Sequence, residues 1–404
     1  MHILLVADGR SPITRNWLRM LGGLGHQISL VSTFPYEKIT PIERQFTIPV
    51  AFSTLSGSQV AAMEQRMDWV RRGVAGLRPL LLKLRALAAP LMLGKPRAQF
   101  RQIVAELRPD AIHALRIPFE GMLAAAAPRE IPLILSIWGN DLTLHARTSA
   151  FMARETNKAL QRADGLLADA ARDLRLAGEW DCAGSNPSLV LPGNGGLDLE
   201  EINRTLSLRI DLPYKLPEGR TLIVNPRGFR PGSVHQDVFF RCLPQVVSEF
   251  PDLLAVCTGM AGQAQAERWV AQYGLQENVQ LLPYLNQAQL WQLFSRSLVY
   301  VSLSSHDGTP NTLLEALACG CFPVAGNIES LREWIRDGEN GYLVDPRDAG
   351  QAAQTITHAL KQRALRHKAR QANIEMLKKR AEISVVRAET DLFYARFLSG
   401  KPQE

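Results

Sequence analysis

The sequence predicts an α/β protein built on doubly wound parallel sheets, and three features carry that expectation. Short, uninterrupted apolar runs such as Leu298–Val301 read as strands buried on both faces. Polar loops punctuated by Gly and Pro follow them and lead into segments with helical periodicity, as in Ser302–Pro310 and then Thr312–Cys319. The chain also opens on a βαβ pattern: a strand over His2–Ala7, a helix over Asn16–Leu24 and a second strand over Ile28–Ser32. A length of 404 residues suggests two or three domains.

Composition narrows the class. With 46% hydrophobic and 21% charged residues the chain is ordinary globular protein, long enough to bury ample core. A net charge of +7 favours anionic partners, whether nucleotide-sugar phosphates, an anionic lipid surface or nucleic acid. No recognisable nucleic-acid module accompanies that charge. The five cysteines are odd in number and lack metal-ligand spacing, so they are expected as reduced, packed thiols and no metal site is expected. His2–Ala7 lacks the basic start of a secretory signal, and no apolar stretch of about 18 residues suggests a membrane span. A cytoplasmic location is therefore expected. Residues 66–103 are basic and amphipathic, which suits either an anionic membrane surface, such as the inner face of the plasma membrane, or core-packing helices with a solvated basic face.

Residues 298–345 carry most of the chemistry. A strand, a polar loop, a helix ended by Gly320 and a second strand over Phe322–Ala325 make one unit of a doubly wound sheet. Ligands of such sheets sit beyond the C-terminal strand ends, where loops meet helix N-termini. The amides of Gly308, Thr309, Asn311 and Thr312 would offer an anion site at a helix start. Asp307 and Glu315 flank it, and Glu315 lies about one turn inside the helix on a face that can point back to the loop.

Here the sequence resembles the retaining glycosyltransferases of family 4, which have the GT-B architecture of two Rossmann-like domains facing across a cleft. The run Asp307-Gly308-Thr309-Pro310-Asn311-Thr312-Leu313-Leu314-Glu315 matches that family's acidic-x7-Glu frame, with Asp for the first Glu and Pro310 for a central Gly. Asp337-Gly338-Glu339-Asn340-Gly341-Tyr342-Leu343-Val344 matches a second family run. The resemblance implies an N-terminal domain over 1–198, joined by a terminal helix from 385 that packs back on it, and a C-terminal donor domain over 199–384. Residues 200–219 then read as a polar linker.

The same resemblance nominates site residues. Arg227 matches a basic residue that binds the donor pyrophosphate, with Arg230 and His235 as substitutes for a family Lys. Gly259 and the strand end Leu282-Pro283-Tyr284 would lie near the nucleotide, Asp307 would face the donor sugar, and Glu315 would hold the ribose. In the N-terminal half, Gly9 and Arg10 sit in the first loop, and His113 stands where the family often has a sugar-contacting His. His113 is also readable as a satisfied core histidine. Arg116, Glu120, Trp138, Asp141 and His145 are further candidates, with plain capping the simpler role for Asp141.

These assignments imply transfer of a hexosyl or N-acetylhexosaminyl group from a nucleoside-diphosphate sugar, a UDP-sugar by family likeness, to a glycan or lipid-linked acceptor. No cofactor or metal is called for beyond the donor itself. A sugar-nucleotide epimerase or hydrolase on the same architecture, and a non-catalytic basic binding protein, are the alternatives.

Overall fold

The computed structural model describes residues 1–50, 92–180, 186–208, 210 and 214–397. The chain divides into two compact units, Met1–Gly196 with Val386–Glu404, and Leu197–Val385. Each is a parallel α/β sheet of the Rossmann-like kind.

In the first unit the strands are β1 (His2–Ala7), β2 (Gln27–Ser32), β3 (Gln45–Thr47), β4 (Ala111–Ala114), β5 (Leu133–Ile137), β6 (Gly165–Ala168) and β7 (Ser188–Val190), in the order β3-β2-β1-β4-β5-β6-β7. Each described pairing is parallel. The continuous burial of Ile3–Ala7 and Leu133–Ile137 reflects helices on both faces, which is why these strands read as apolar runs. Strand order reverses between β1 and β4.

The helix α1 spans Pro12–Gly22, earlier than the periodicity of Trp17, Leu18 and Leu21 alone implies. Ser11 caps it by accepting from Ile13 N at 3.2 Å, and Pro12 occupies the first turn, where its missing N–H costs nothing.

Of the basic stretch 66–103, residues 66–91 lie outside the described residues. From Gly94 to Leu107 the chain is a helix, α2, whose Phe100 and Val104 are buried. Arg97 donates to Met122 O and, at 2.5 Å, to the buried carboxylate of Glu155. In this described part a cation of the stretch is engaged in internal packing.

The second unit holds β8 (Thr221–Asn225), β9 (Leu253–Cys257), β10 (Val279–Leu281), β11 (Val299–Ser302), β12 (Phe322–Gly326) and β13 (Tyr342–Val344), in the order β10-β9-β8-β11-β12-β13. Order reverses between β8 and β11, and it is beyond the C-terminal ends of the strands at such a switch point that sheets of this kind form their ligand crevice. The expected linker is partly a helix, α3 (Leu199–Ser207). Asp198 caps it by accepting from Glu201 N at 2.7 Å, Glu200 and Glu201 suit its positive end, and Ile202 buries one face. In the sequence, Pro213 and Pro217 beyond it give the segment the look of a linker. Further helices are α4 (Gln236–Glu249), α5 (Gln287–Arg296), α6 (Asn311–Ala318), α7 (Ala349–Lys361) and α8 (Arg363–Arg380).

The last helix, α9, runs over Ile383–Ala395, and its part from Val386 belongs to the first unit. There Tyr394 is fully buried, Phe393 and Phe397 lie where a side chain on Gly165 would collide, and Arg387 covers Gly23. Cys242, Cys257, Cys319 and Cys321 are buried free thiols; Cys182 lies outside the described residues. Among the described residues no helix is long and apolar enough to cross a membrane.

Candidate active site

The crevice of the second unit is built from two loops. The first leaves β8 at Pro226 and reaches α4; the second leaves β11 at Leu303 and reaches α6. Hydrogen bonds join them side by side. Ser305 N donates to Ser233 O at 2.9 Å, Ser233 Oγ bonds His306 O, and His235 N donates to Leu303 O at 2.8 Å. At the base of the first loop, Asn225 and the buried Gln236 bond each other, and Gln236 also donates to Gly228 O at 2.7 Å.

That frame places Arg227 across the gap. Its Nη2 lies 2.5 Å from Asp307 Oδ2, and its Nη1 donates to Thr312 Oγ1 at 3.3 Å. Arg227 is buried, so desolvation pulls its pKa down, but the Asp307 carboxylate outweighs that and holds it above the ordinary value. Thr312 lies in the first turn of α6, and Glu315 follows one turn later on the same face. Among the described residues no side chain caps α6, whose N-cap position is Pro310, so the first-turn amides keep their positive end for a ligand.

Glu315 is 6% exposed and accepts from Gln287 Nε2 of α5 at 3.1 Å. Burial pushes its carboxyl up to about 7, with the Gln287 bond opposing. At neutral pH it is therefore poised between a hydrogen-bond donor and an acceptor, both useful toward a diol.

Two residues outside the sequence-level candidates hold the second loop. Ser330 Oγ donates to Asp307 O at 2.8 Å, and Trp334 Nε1 donates to Thr309 Oγ1 at 2.9 Å. Both are buried and follow β12, about twenty residues downstream of the loop, where no local pattern announces the contact.

On the other side of β8, Tyr284 is 79% exposed and its ring lies against Gly259 and Gly228. Both glycines have positive φ, +70° and +57°, and a Cβ on Gly259 would stand 2.7 Å from the ring. Arg230 is exposed, and the charge of Arg227, ahead of desolvation, lowers its pKa. His235 stands at the start of α4 with Nε2 2.9 Å from Ser305 Oγ, so its ring is held by the second loop. Pro310, Gly308, Thr309 and Asn311 all lie in or directly after that loop, as the spacing predicts.

In the first unit His113 requires a correction. It is fully buried, with Nδ1 2.6 Å from Tyr394 OH and Nε2 2.8 Å from Ser136 Oγ. Burial drives its pKa down to about 3, so it stays neutral. Both ring nitrogens are engaged in the core, and it has no face left for a substrate. Asp141 is likewise fully buried rather than a simple cap. It accepts from Arg116 Nη2 at 2.7 Å, Ile117 N at 3.0 Å and Trp138 N at 3.2 Å, thereby fixing Arg116 near the Trp138 ring. Glu120 accepts from Thr33 Oγ1 at 2.7 Å, and burial pushes it up to about 7. Gly9 packs under the Tyr36 ring, and Arg10 is paired with Asp8 and laid over Phe34.

Two family models match in tandem: the glycosyl transferase 4-like domain over residues 8–193 and glycosyl transferases group 1 over residues 214–376. The chain belongs to the GT-B glycosyltransferases. Solved members of that fold agree over the whole length. HepE of Anabaena in complex with UDP superposes with a TM-score of 0.71 at 15% identity, covering 98% of this chain and 100% of that one. Sucrose-phosphate synthase of Thermosynechococcus elongatus gives 0.73 at 14% identity, covering 99% and 100%. At such identity these likenesses establish the fold.

Curated relatives of this GT-B chain match over shorter stretches. D-inositol 3-phosphate glycosyltransferase of Geodermatophilus obscurus is 32% identical over 108 residues, 27% of this chain and 24% of that protein. GDP-mannose:cellobiosyl-diphosphopolyprenol alpha-mannosyltransferase of Xanthomonas campestris is 32% identical over 98 residues, 24% of this chain and 26% of that protein. The chain thus aligns with about a quarter of the length of each.

Proposed function

We propose that the protein transfers a hexosyl or N-acetylhexosaminyl group from a nucleoside-diphosphate sugar, a UDP-sugar, to a hydroxyl of a glycan or lipid-linked acceptor, with retention and without a metal ion. The observation that carries this reading is the side chain of Arg227, which spans the second-unit crevice to Asp307 and to Thr312 at the open start of α6. The HepE structures with UDP and with UDP-glucose support the choice of donor class. The named relatives support a phosphorylated polyol or a lipid-linked glycan as the kind of acceptor.

In transfer the bond from the anomeric carbon to the diphosphate oxygen breaks, and its electron pair leaves with the diphosphate. An acceptor hydroxyl bonds the same carbon from the side on which the diphosphate leaves, and its proton passes to the departing diphosphate oxygen, which keeps the anomeric configuration. Arg227 and the first-turn amides of α6 meet the charge that grows on the diphosphate, in a site where burial strengthens each interaction. Arg230 adds a second cation beside them. Asp307 orients Arg227 and faces the sugar. Glu315 accepts from ribose hydroxyls, and Tyr284 offers its ring to the base. Such an enzyme would work in the cytoplasm, and a lipid-linked acceptor would bring it to the inner face of the plasma membrane.

The test is to incubate the chain with UDP- and GDP-sugars, with and without glycan and lipid-linked acceptors, and to measure free nucleoside diphosphate together with the anomeric configuration of the product. Acceptor-dependent release with retained configuration is expected. Release that ignores acceptor would favour a hydrolase instead.

A further inference from the structure

A second cationic recess lies in the Leu197–Val385 unit, apart from the Arg227 crevice. It is a cavity of about 610 Å³ between α8 and the turn that follows the short helix Glu329–Arg332. That volume suits a small-molecule ligand. None of Arg227, Asp307, Thr312 and Glu315 lines it.

Its wall carries four cations, Arg332, Arg336, Lys368 and Arg380, against two acids, Glu333 and Glu339. Each acid stands by one arginine: Glu339 is 3.8 Å from Arg336, and the charge of Glu333 is felt at Arg380. Arg332 hydrogen-bonds Asn327, a neutral partner. Lys368 is exposed and has no ion pair or hydrogen bond among the described residues. The recess therefore keeps an excess of positive charge that the protein itself leaves unanswered.

The Arg380 wall of the recess is held in place. The Arg380 guanidinium lies 4.2 Å above the Trp334 ring, and its Nη1 donates to Glu333 O at 2.6 Å. Stacked and tethered, it keeps the planar donor fork that matches phosphate oxygens. The turn beneath is braced by Asn340, which donates to Trp334 O at 2.9 Å and to Asn373 Oδ1 at 2.7 Å and accepts from Arg336 N at 2.6 Å. Arg380 would lose little rotamer freedom when an anion arrives, whereas the exposed Lys368 would be ordered by it. The inner wall, Trp334, is the same residue whose indole holds Thr309.

We propose that this recess is a second anion site that binds a phosphate group, with Lys368 and Arg380 as its principal ligands and Arg332 and Arg336 at its rim. The phosphate chemistry is shared by soluble phosphorylated metabolites and by phospholipid headgroups.

Titration calorimetry with inorganic phosphate, at ionic strength matched with chloride, tests it on the full chain and on Arg227→Ala. The second chain weakens binding at the crevice while leaving the recess untouched, so failure of the proposed transferase reading and failure of this site are distinguishable. Co-sedimentation with phosphatidylcholine vesicles, with and without phosphatidic acid, forms the other arm. The expected result is saturable phosphate binding that survives Arg227→Ala and weakens at least tenfold in Lys368→Glu with Arg336→Glu. Both reversed residues are exposed, and circular dichroism checks that the fold is kept. Vesicle binding that depends on phosphatidic acid and is lost in the same reversal would support the site with a lipid headgroup as its source. If neither phosphate nor vesicles bind the Arg227→Ala chain, or if the charge reversal leaves binding unchanged, the inference is overturned.

Discussion

Arg227 and Asp307 are eighty residues apart in sequence, yet their side chains meet at 2.5 Å over the point where the second sheet reverses its strand order. Neither is near full exposure, at 6% and 13% of their side-chain surface. Such a pair holds both a charge for the donor and a structural debt if one partner is lost.

A double-mutant cycle separates those two roles. Arg227→Ala leaves Asp307 short of its partner and is expected to cost about 3 kcal/mol of stability, by analogy with other broken buried pairs. Arg227→Ala with Asp307→Ala is expected to recover much of that in urea unfolding. Transfer stays at least 100-fold down in both, because the cation facing the leaving group is gone. Recovery of transfer in the double variant would reduce the pair to a structural strut.

Glu315 gives an unusual pH signature. A glutamate in the unfolded chain titrates near 4.5, whereas burial pushes folded Glu315 up to about 7. Between those values the native state holds more protons than the unfolded one, so this group's stabilisation is complete below 4.5 and is lost as pH rises to 7, by up to about 3 kcal/mol. Glu315→Gln is expected to be relatively more stable than the parent at pH 8, read as a higher melting temperature. The donor KM of the parent should fall as pH passes 7 and ribose meets a carboxylate, a dependence the variant lacks. Identical pH profiles for the two chains would contradict this.

His113 is expected to report the opposite sign. Its folded pKa of about 3 lies below the ordinary 6.5, so its contribution is full above 6.5 and is lost as pH falls toward 3. His113→Ala removes a buried ring and strands the hydroxyls of Tyr394 and Ser136, at a cost of about 3 kcal/mol in denaturant unfolding. Transfer per folded chain is expected to be unchanged at low temperature. A 100-fold loss of kcat with unaltered stability would restore His113 to the chemistry.

Gly259→Ala tests the Tyr284 face. The residue has φ +70° and its new methyl would meet the Tyr284 ring, so a loss of about 1 kcal/mol is expected from the backbone. Being exposed, Tyr284 can swing away, which converts the clash into weaker donor binding. Both Gly259→Ala and Tyr284→Ala should raise donor KM with little change in kcat. An unaltered KM in both would remove Tyr284 from the donor site.

Much of the donor-side chemistry was legible because it is local. The run from Asp307 to Glu315 sets its own loop and helix start, and the i to i+3 spacing alone puts Thr312 and Glu315 on one face. What stayed hidden depends on distant partners. His113 sits at a strand end that matches a motif, and only the approach of Tyr394, 281 residues later, shows it to be core. Ser330, Trp334 and Gln287 reach the site from other elements and leave no trace in local periodicity. The helix α3 is hidden for another reason: Asp198, Glu200 and Glu201 form a helix-start signal, but the downstream prolines read as a linker.

The central claim is that Arg227 and Glu315 serve one nucleotide. Titration calorimetry of UDP into the parent chain, Arg227→Ala and Glu315→Ala tests it most directly. One high-affinity site per chain is predicted, separate from any weaker phosphate binding at the Lys368 recess, with its affinity reduced at least tenfold in each variant. Undiminished UDP binding in both would contradict the assignment.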